Sequence, residues 1–201
     1  MRVFRNKKRR TATILHDFYI EKIGMRFRFA ENKGYPTTPF PEKFIPKFKG
    51  EAFPKKIKLY QEIIGLIFYT VIIFRPDVAH AIFLFCRFLT NPNPFHRRLA
   101  KRVLQYSYGT RFLGIKHGVI QTIPHLIMAN NASFGNNPKI KKSFKGYEYA
   151  QESFTIIYLE FEFMPANGFT KPLSLNKFEH FRAFLNLYDA QHEVQGGLQT
   201  R

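Results

Sequence analysis

Prolines stand at positions 36, 39, 41, 46 and 54. Each fixes φ and lacks a backbone N–H, so no regular helix or inner strand can run through that stretch. The spacing predicts an extended connection across a surface, with separate structured segments on either side. Ahead of it, residues 13–29 carry Ile14, Phe18, Ile23 and Phe27, compatible with a helix. Behind it come three helical patterns. Lys58–Phe74 aligns Tyr60, Ile63, Ile64, Ile67 and Val71 on one face. A second helix opens at Pro76–Asp77, with proline and an acid in its first turn, and runs to Leu89, where Asn91-Pro92-Asn93-Pro94 breaks it. The third, Phe95–Tyr108, sets Leu99, Val103, Leu104 and Tyr106 against Arg97, Arg98, Lys101 and Arg102, with Gly109 as its expected C-cap.

After Gly114 the pattern changes. Residues 118–134 and 144–149 are strand-like around a turn at Gly135-Asn136-Asn137-Pro138, and residues 159–163 alternate as a half-buried strand does. Ser174 is placed to cap a last helix with Phe178, Phe181 and Leu185 on one face. From Tyr188 the chain reads as a polar, frayed tail. No internal repeat is present.

The formal charge is +18, from 32 Lys and Arg against 14 acids. Such an excess favours a polyanionic partner; mutational drift that removed acids would leave the same balance. The single cysteine, Cys86, permits no intrachain disulfide and no cysteine-based metal site, and it reads as an inert thiol in an apolar run. The seven histidines lack H-x₃-H spacing, which disfavours zinc. The apolar stretch 63–74 falls short of the roughly 17–25 residues that span a bilayer and is expected as a buried helix. The start, MRVFRNKKRR, has no apolar core behind it, so secretion is disfavoured. Its basic run fits a nuclear signal or a nucleic-acid arm better than a mitochondrial presequence, which makes a nuclear or cytoplasmic location the expectation.

The most specific motifs lie in the helical part. Tyr60-Gln61-Glu62-Ile63-Ile64-Gly65, Tyr69 and Phe74-Arg75-Pro76-Asp77-Val78-Ala79 come first; Arg87-Phe88-Leu89-Thr90-Asn91-Pro92, His96, Lys101-Arg102-Val103-Leu104-Gln105-Tyr106 and Gly109-Thr110 follow. In order and spacing this series resembles the segment between polymerase and RNase H in copia-type retrotransposon Pol polyproteins. Tyr19-Ile20-Glu21-Lys22-Ile23 is similar to the end of the family's reverse transcriptase. Asn130–Phe134 and Ser143–Tyr147 resemble its first RNase H hairpin, and Met164–Leu173 its closing motif.

The resemblance implies an α+β fold, a helical connector followed by an incomplete RNase H-like α/β unit. Residues 1–34 would be the end of the reverse transcriptase with a basic N-terminus, 35–57 the Pro-rich connector and 58–118 the helical connection. A truncated RNase H-like region, 119–187, and a polar tail, 188–201, would follow. It also implies that the chemistry is gone. Such enzymes hold Mg²⁺ with clustered carboxylates; here Asn131 and Asn167 stand where two would be, and the stretch 149–154 is too short for the strands that carry two more. Asp17, Asp77 and Asp189 are isolated, and Glu160 and Glu162 read as surface acids of a strand. The expectation is a truncated, inactive remnant with no cofactor, its ancestral Mg²⁺ site lost, unstable for want of its central strands. The Asp-to-Asn and Phe-rich pattern suits codon drift from G·C towards A·T. The alternative is a small basic protein that binds an RNA–DNA hybrid or other nucleic acid, and no membrane. Its phosphate contacts would be Arg97, Arg98, Lys101 and Arg102 on the third helix, with Lys139, Lys141, Lys142 and Lys145 in the hairpin. Phe83, Phe85, Phe88, Tyr106 and Tyr108 could stack on bases, but helical spacing puts them in a core.

Overall fold

The computed structural model describes residues 1–29, 34–40, 45–118 and 164–196, and within them the architecture is mixed α+β. Strands β1 (Arg2–Asn6), β2 (Thr11–Leu15), β3 (Leu113–His117) and β4 (Leu187–Asp189) form one antiparallel sheet in the order β1-β2-β3-β4. Its register pairs Val3 with Ile14, Ile14 with Ile115, and Ile115 with Leu187. The sheet therefore joins three parts of the chain that are far apart in sequence.

Two expectations for the N-terminal part change. Thr11, Thr13 and Ile14 are β-branched and suit a pleated surface, so residues 11–15 form a strand and the helix begins only at Asp17. The basic run becomes the tip of a β-hairpin: the Asn6 side chain accepts the Arg9 N–H at 3.0 Å, and Arg10 takes φ +50° to close the turn. Helix α1 (Asp17–Arg26) has an acid in its first turn and a base in its last, each favoured by the helix dipole. Arg2 holds Asp17 from the hairpin side, its Nε donating at 2.9 Å.

Helix α2 (Pro54–Ile73) starts at the last proline of the connector, which suits the first turn of a helix, where no N–H is needed. A 3₁₀ turn (Pro76–Val78) leads into α3 (Ala79–Cys86), shorter than the pattern to Leu89 suggested. Helix α4 (Pro94–Gly109) follows. Together these helices bury Tyr60, Ile63, Ile67, Ile82, Phe85 and Val103 around one core. Burial of α2 is one-sided, because Phe68, Ile72 and Ile73 lie exposed on its other face. Gly109 is the last residue of α4, not its cap. The cap falls at Thr110, whose hydroxyl donates to the Tyr106 carbonyl at 2.7 Å. A glycine is needed at 109 because the Tyr35 side chain occupies the space of a Cβ.

The short helix α5 (Asn167–Thr170) leads to α6 (Leu175–Phe184), which buries Phe178 and Phe181 against Tyr106 and the helical core. Ser174 holds the N-cap position of α6, but its hydroxyl makes no capping hydrogen bond. The segment expected to fray at Tyr188 is instead tied in. β4 pairs with β3, the Ala190 N–H donates to the Phe112 carbonyl at 3.0 Å, and Ala190 packs on Phe4 and Leu15 before α7 (Gln191–Gln195).

Candidate nucleic-acid interface

The N-terminus of α4 is built by a reciprocal cap. The Asn93 side chain accepts the His96 N–H at 2.7 Å, while the Asn93 N–H donates to His96 Nδ1 at 3.2 Å. Histidine thus fills the role that Glu or Gln plays in the usual capping box. Its other nitrogen, Nε2, meets the Pro46 carbonyl at 2.9 Å, which makes the neutral Nε2–H tautomer the one that satisfies both contacts. Burial pushes the His96 imidazole below its ordinary range, with the Pro46 carbonyl acting the other way.

With Leu99, Val103 and Leu104 turned inward, the opposite side of α4 carries the predicted cations. They are not equivalent. Arg98 and Lys101 are exposed, and the Arg98 guanidinium lies 5.1 Å from the Phe95 ring centroid. Arg97 is half-buried. Arg102 bends back onto the Pro-rich connector, one of its terminal nitrogens 3.4 Å from the Thr38 carbonyl, while its Nε is buried without a partner. Other cations stand out that sequence reasoning did not single out as contacts. Lys7, Lys8, Arg9 and Arg10 are all exposed at the hairpin tip, and Lys47, Lys49 and Arg87 border one groove beside α3. The signal that could have shown the hairpin is the set of β-branched residues Val3, Thr11, Thr13 and Ile14 on either side of the polar run 5–10. The groove had no such signal, because it needs the connector to fold against α3.

Of the aromatic candidates, Phe85, Tyr106 and Tyr108 are buried and Phe88 is half-buried, its ring tilted against His96 with centroids 4.0 Å apart; Phe83 is exposed. Cys86 is half-buried, which pushes its thiol pKa up. Asn131, Lys139, Lys141, Lys142, Lys145, Glu160 and Glu162 lie outside the described residues. Asn167 opens α5 and is 5% exposed, lining a hollow of about 510 Å³ that Lys171, Lys177 and His180 also border.

The most specific motif residues prove to be architectural. Arg75 is fully buried and grips Asp77 with two parallel hydrogen bonds of 2.9 and 2.8 Å. It also donates to the Thr110 carbonyl and hydroxyl at 3.2 and 2.8 Å, and the Tyr106 hydroxyl donates to Asp77 at 2.7 Å. Burial alone would lower the guanidinium pKa, but the Asp77 carboxylate and Tyr106 hold it above its ordinary value. The Tyr106 hydroxyl is pushed up, first by burial and then by Asp77. The Tyr60 hydroxyl donates to the Phe85 carbonyl and the Gln61 amide to Leu89, while Asn91 clasps Gly50 and Ala52. One knot thereby links the end of α2, the 3₁₀ turn and the end of α4.

Comparison with known proteins supplies the context. A retrovirus-related Pol polyprotein from transposon TNT 1-94 of Nicotiana tabacum is 29% identical over 115 residues, covering 55% of this chain and 9% of that protein. A transposon Ty5-1 protein of Saccharomyces cerevisiae is 33% identical over 87 residues, covering 35% of this chain and 28% of that protein. This chain is retrotransposon Pol-like. A secreted RxLR effector protein 161 of Plasmopara viticola is 30% identical over 88 residues, 44% of this chain and 61% of that protein. No family model and no solved structure matches. The Pol-like chain thus spans a small part of the two transposon proteins. Within it, the motif residues of the helical part build a core and the exposed cations lie around it.

Proposed function

We propose that the Pol-like chain is a catalytically silent derivative of a copia-type Pol polyprotein. It corresponds to the end of the reverse transcriptase, the connection and a shortened RNase H-like region. The chemistry it keeps is binding of nucleic-acid backbone, with an RNA–DNA hybrid as the reference partner. The observation that carries this reading is the unequal use of charge. Every aspartate is engaged in holding the fold. Asp17 is held by Arg2, Asp77 is sealed between Arg75 and Tyr106, and Asp189 accepts the Gln191 N–H at 2.9 Å. The cations at the hairpin tip, by contrast, and Arg98 and Lys101 on α4, are in no ion pair among the described residues and face solvent. Such an arrangement attracts phosphates.

The test is fluorescence anisotropy of a labelled hybrid while salt rises from about 50 to about 200 mM, a range over which several phosphate contacts would weaken binding by orders of magnitude. Saturable, salt-steep binding is expected. Absence of binding at the lowest salt would refute the nucleic-acid reading.

A further inference from the structure

The connector does more than cross the surface. Residues 45–52 form neither helix nor strand, and the segment is fastened at two points. His96 Nε2 holds the Pro46 carbonyl at 2.9 Å, and the Asn91 side chain donates to the Gly50 carbonyl at 2.8 Å while accepting the Ala52 N–H at 2.9 Å. The anchoring side chains sit just before α4 and in its first turn, so the segment between Pro46 and Ala52 is pinned. Within it Lys47, Lys49 and Glu51 are exposed and Phe48 is half-buried.

Lys47 and Lys49 line a groove of about 540 Å³ together with Arg87, exposed at the end of α3, and with the apolar Leu84 and Phe88. None of the described lining residues is acidic, and none of the three cations is in an ion pair among the described residues. Residues 42–52 hold Lys43, Lys47 and Lys49 against Glu42 and Glu51.

We propose that this groove is a binding site for a single-stranded nucleic acid, with Lys47, Lys49 and Arg87 on successive phosphates and the bases laid over Leu84 and Phe88. The proposal rests on the nucleic-acid reading above and adds the place and the form of the partner. Pinning matters because a backbone already held in position loses less freedom on binding. The apolar lining favours unpaired bases, whose faces a duplex keeps stacked.

The experiment compares oligo(dT), the corresponding duplex and polyglutamate as anisotropy probes or competitors. It uses the full chain, Lys47→Gln/Lys49→Gln/Arg87→Gln, and a control Arg98→Gln/Lys101→Gln. All substituted side chains are exposed, and circular dichroism checks that each variant folds. Removing three phosphate contacts should weaken oligo(dT) binding at least tenfold at about 0.1 M salt and flatten the log–log salt slope by about 2. The α4 variant should change oligo(dT) binding less. Asn91→Ala, which frees the segment but keeps its charge, should lower affinity while leaving the slope intact. Unchanged oligo(dT) binding in the triple variant, with loss in the α4 variant, would overturn the groove and leave the nucleic-acid reading standing. Tighter binding of polyglutamate than of oligo(dT) would also overturn it, making this an acidic-protein site. If the unaltered chain binds no nucleic acid at low salt, both readings fall together.

Discussion

Replacing Asp77 by alanine tests whether the Arg75 knot holds the helical core together. The guanidinium of Arg75 is fully buried and has one carboxylate partner. Removing that partner strands the charge, and breaking a buried pair from one side costs about 3–5 kcal/mol. The Tyr106 hydroxyl also loses its acceptor, a penalty of about 1–3 kcal/mol that overlaps with the first because the groups form one network. A loss of about 4 kcal/mol is expected, within a total stability of about 5–15 kcal/mol for an ordinary domain. For a chain of this size it should lower Tm by roughly 8–16 °C. Urea unfolding followed by circular dichroism measures it. The companion variant, Arg75→Met with Asp77→Leu, removes both charges and should recover most of the loss, because a well-packed apolar pair can match a buried ion pair. A loss below about 1 kcal/mol for Asp77→Ala would refute the idea that the knot carries the core. So would a double variant as unstable as the sum of the singles.

Two further predictions concern the helix contacts, and one concerns chemistry. Burial holds His96 below its ordinary pKa, as it does His16 and His80. The unfolded chain therefore takes up these protons first. Stability should be full above about pH 6.5 and fall as the pH drops from there towards 5; a urea midpoint that rises on acidification would contradict this. His96→Gln keeps a capping side chain and should shallow the dependence. In Gly24→Ala the new methyl would overlap the Tyr108 ring. Overpacking of about 1–3 kcal/mol should outweigh the gain of roughly 1 kcal/mol in helix propensity, and a melt showing a stabilised variant would exclude that contact. If the proposed reading is right, Asn131→Asp/Asn167→Asp should still yield no Mg²⁺-dependent cleavage of a hybrid, because on that reading two further metal-binding acids would also be missing. Cleavage by that variant would show that the remaining acids suffice.

The helical part was legible because its apolar spacing is strong and its breakers are local. Tyr60, Ile63, Ile67 and Val103 point inward as their periodicity requires, and Pro94 sits in the first turn of α4. What escaped the sequence depended on distant partners. Leu113–His117 and Leu187–Asp189 are short and lack strict alternation, and only pairing with each other and with the hairpin makes them strands. Asp77 looked like a helix-dipole acid, since nothing local shows that Arg75 and Tyr106 would enclose it. The same holds for the candidate interface. The face of α4 followed from period, whereas the retreat of Arg102 towards Thr38 and the meeting of Lys47, Lys49 and Arg87 follow from how the connector folds.

The central claim, binding without catalysis, is tested most directly by one single-turnover experiment. A labelled RNA–DNA hybrid is saturated with the full chain at low salt, Mg²⁺ is added, and strand length and anisotropy are followed in the same sample. The bound hybrid should stay intact and dissociate as salt is raised. Mg²⁺-dependent shortening of the RNA strand by the unaltered chain, abolished by chelation, would contradict it.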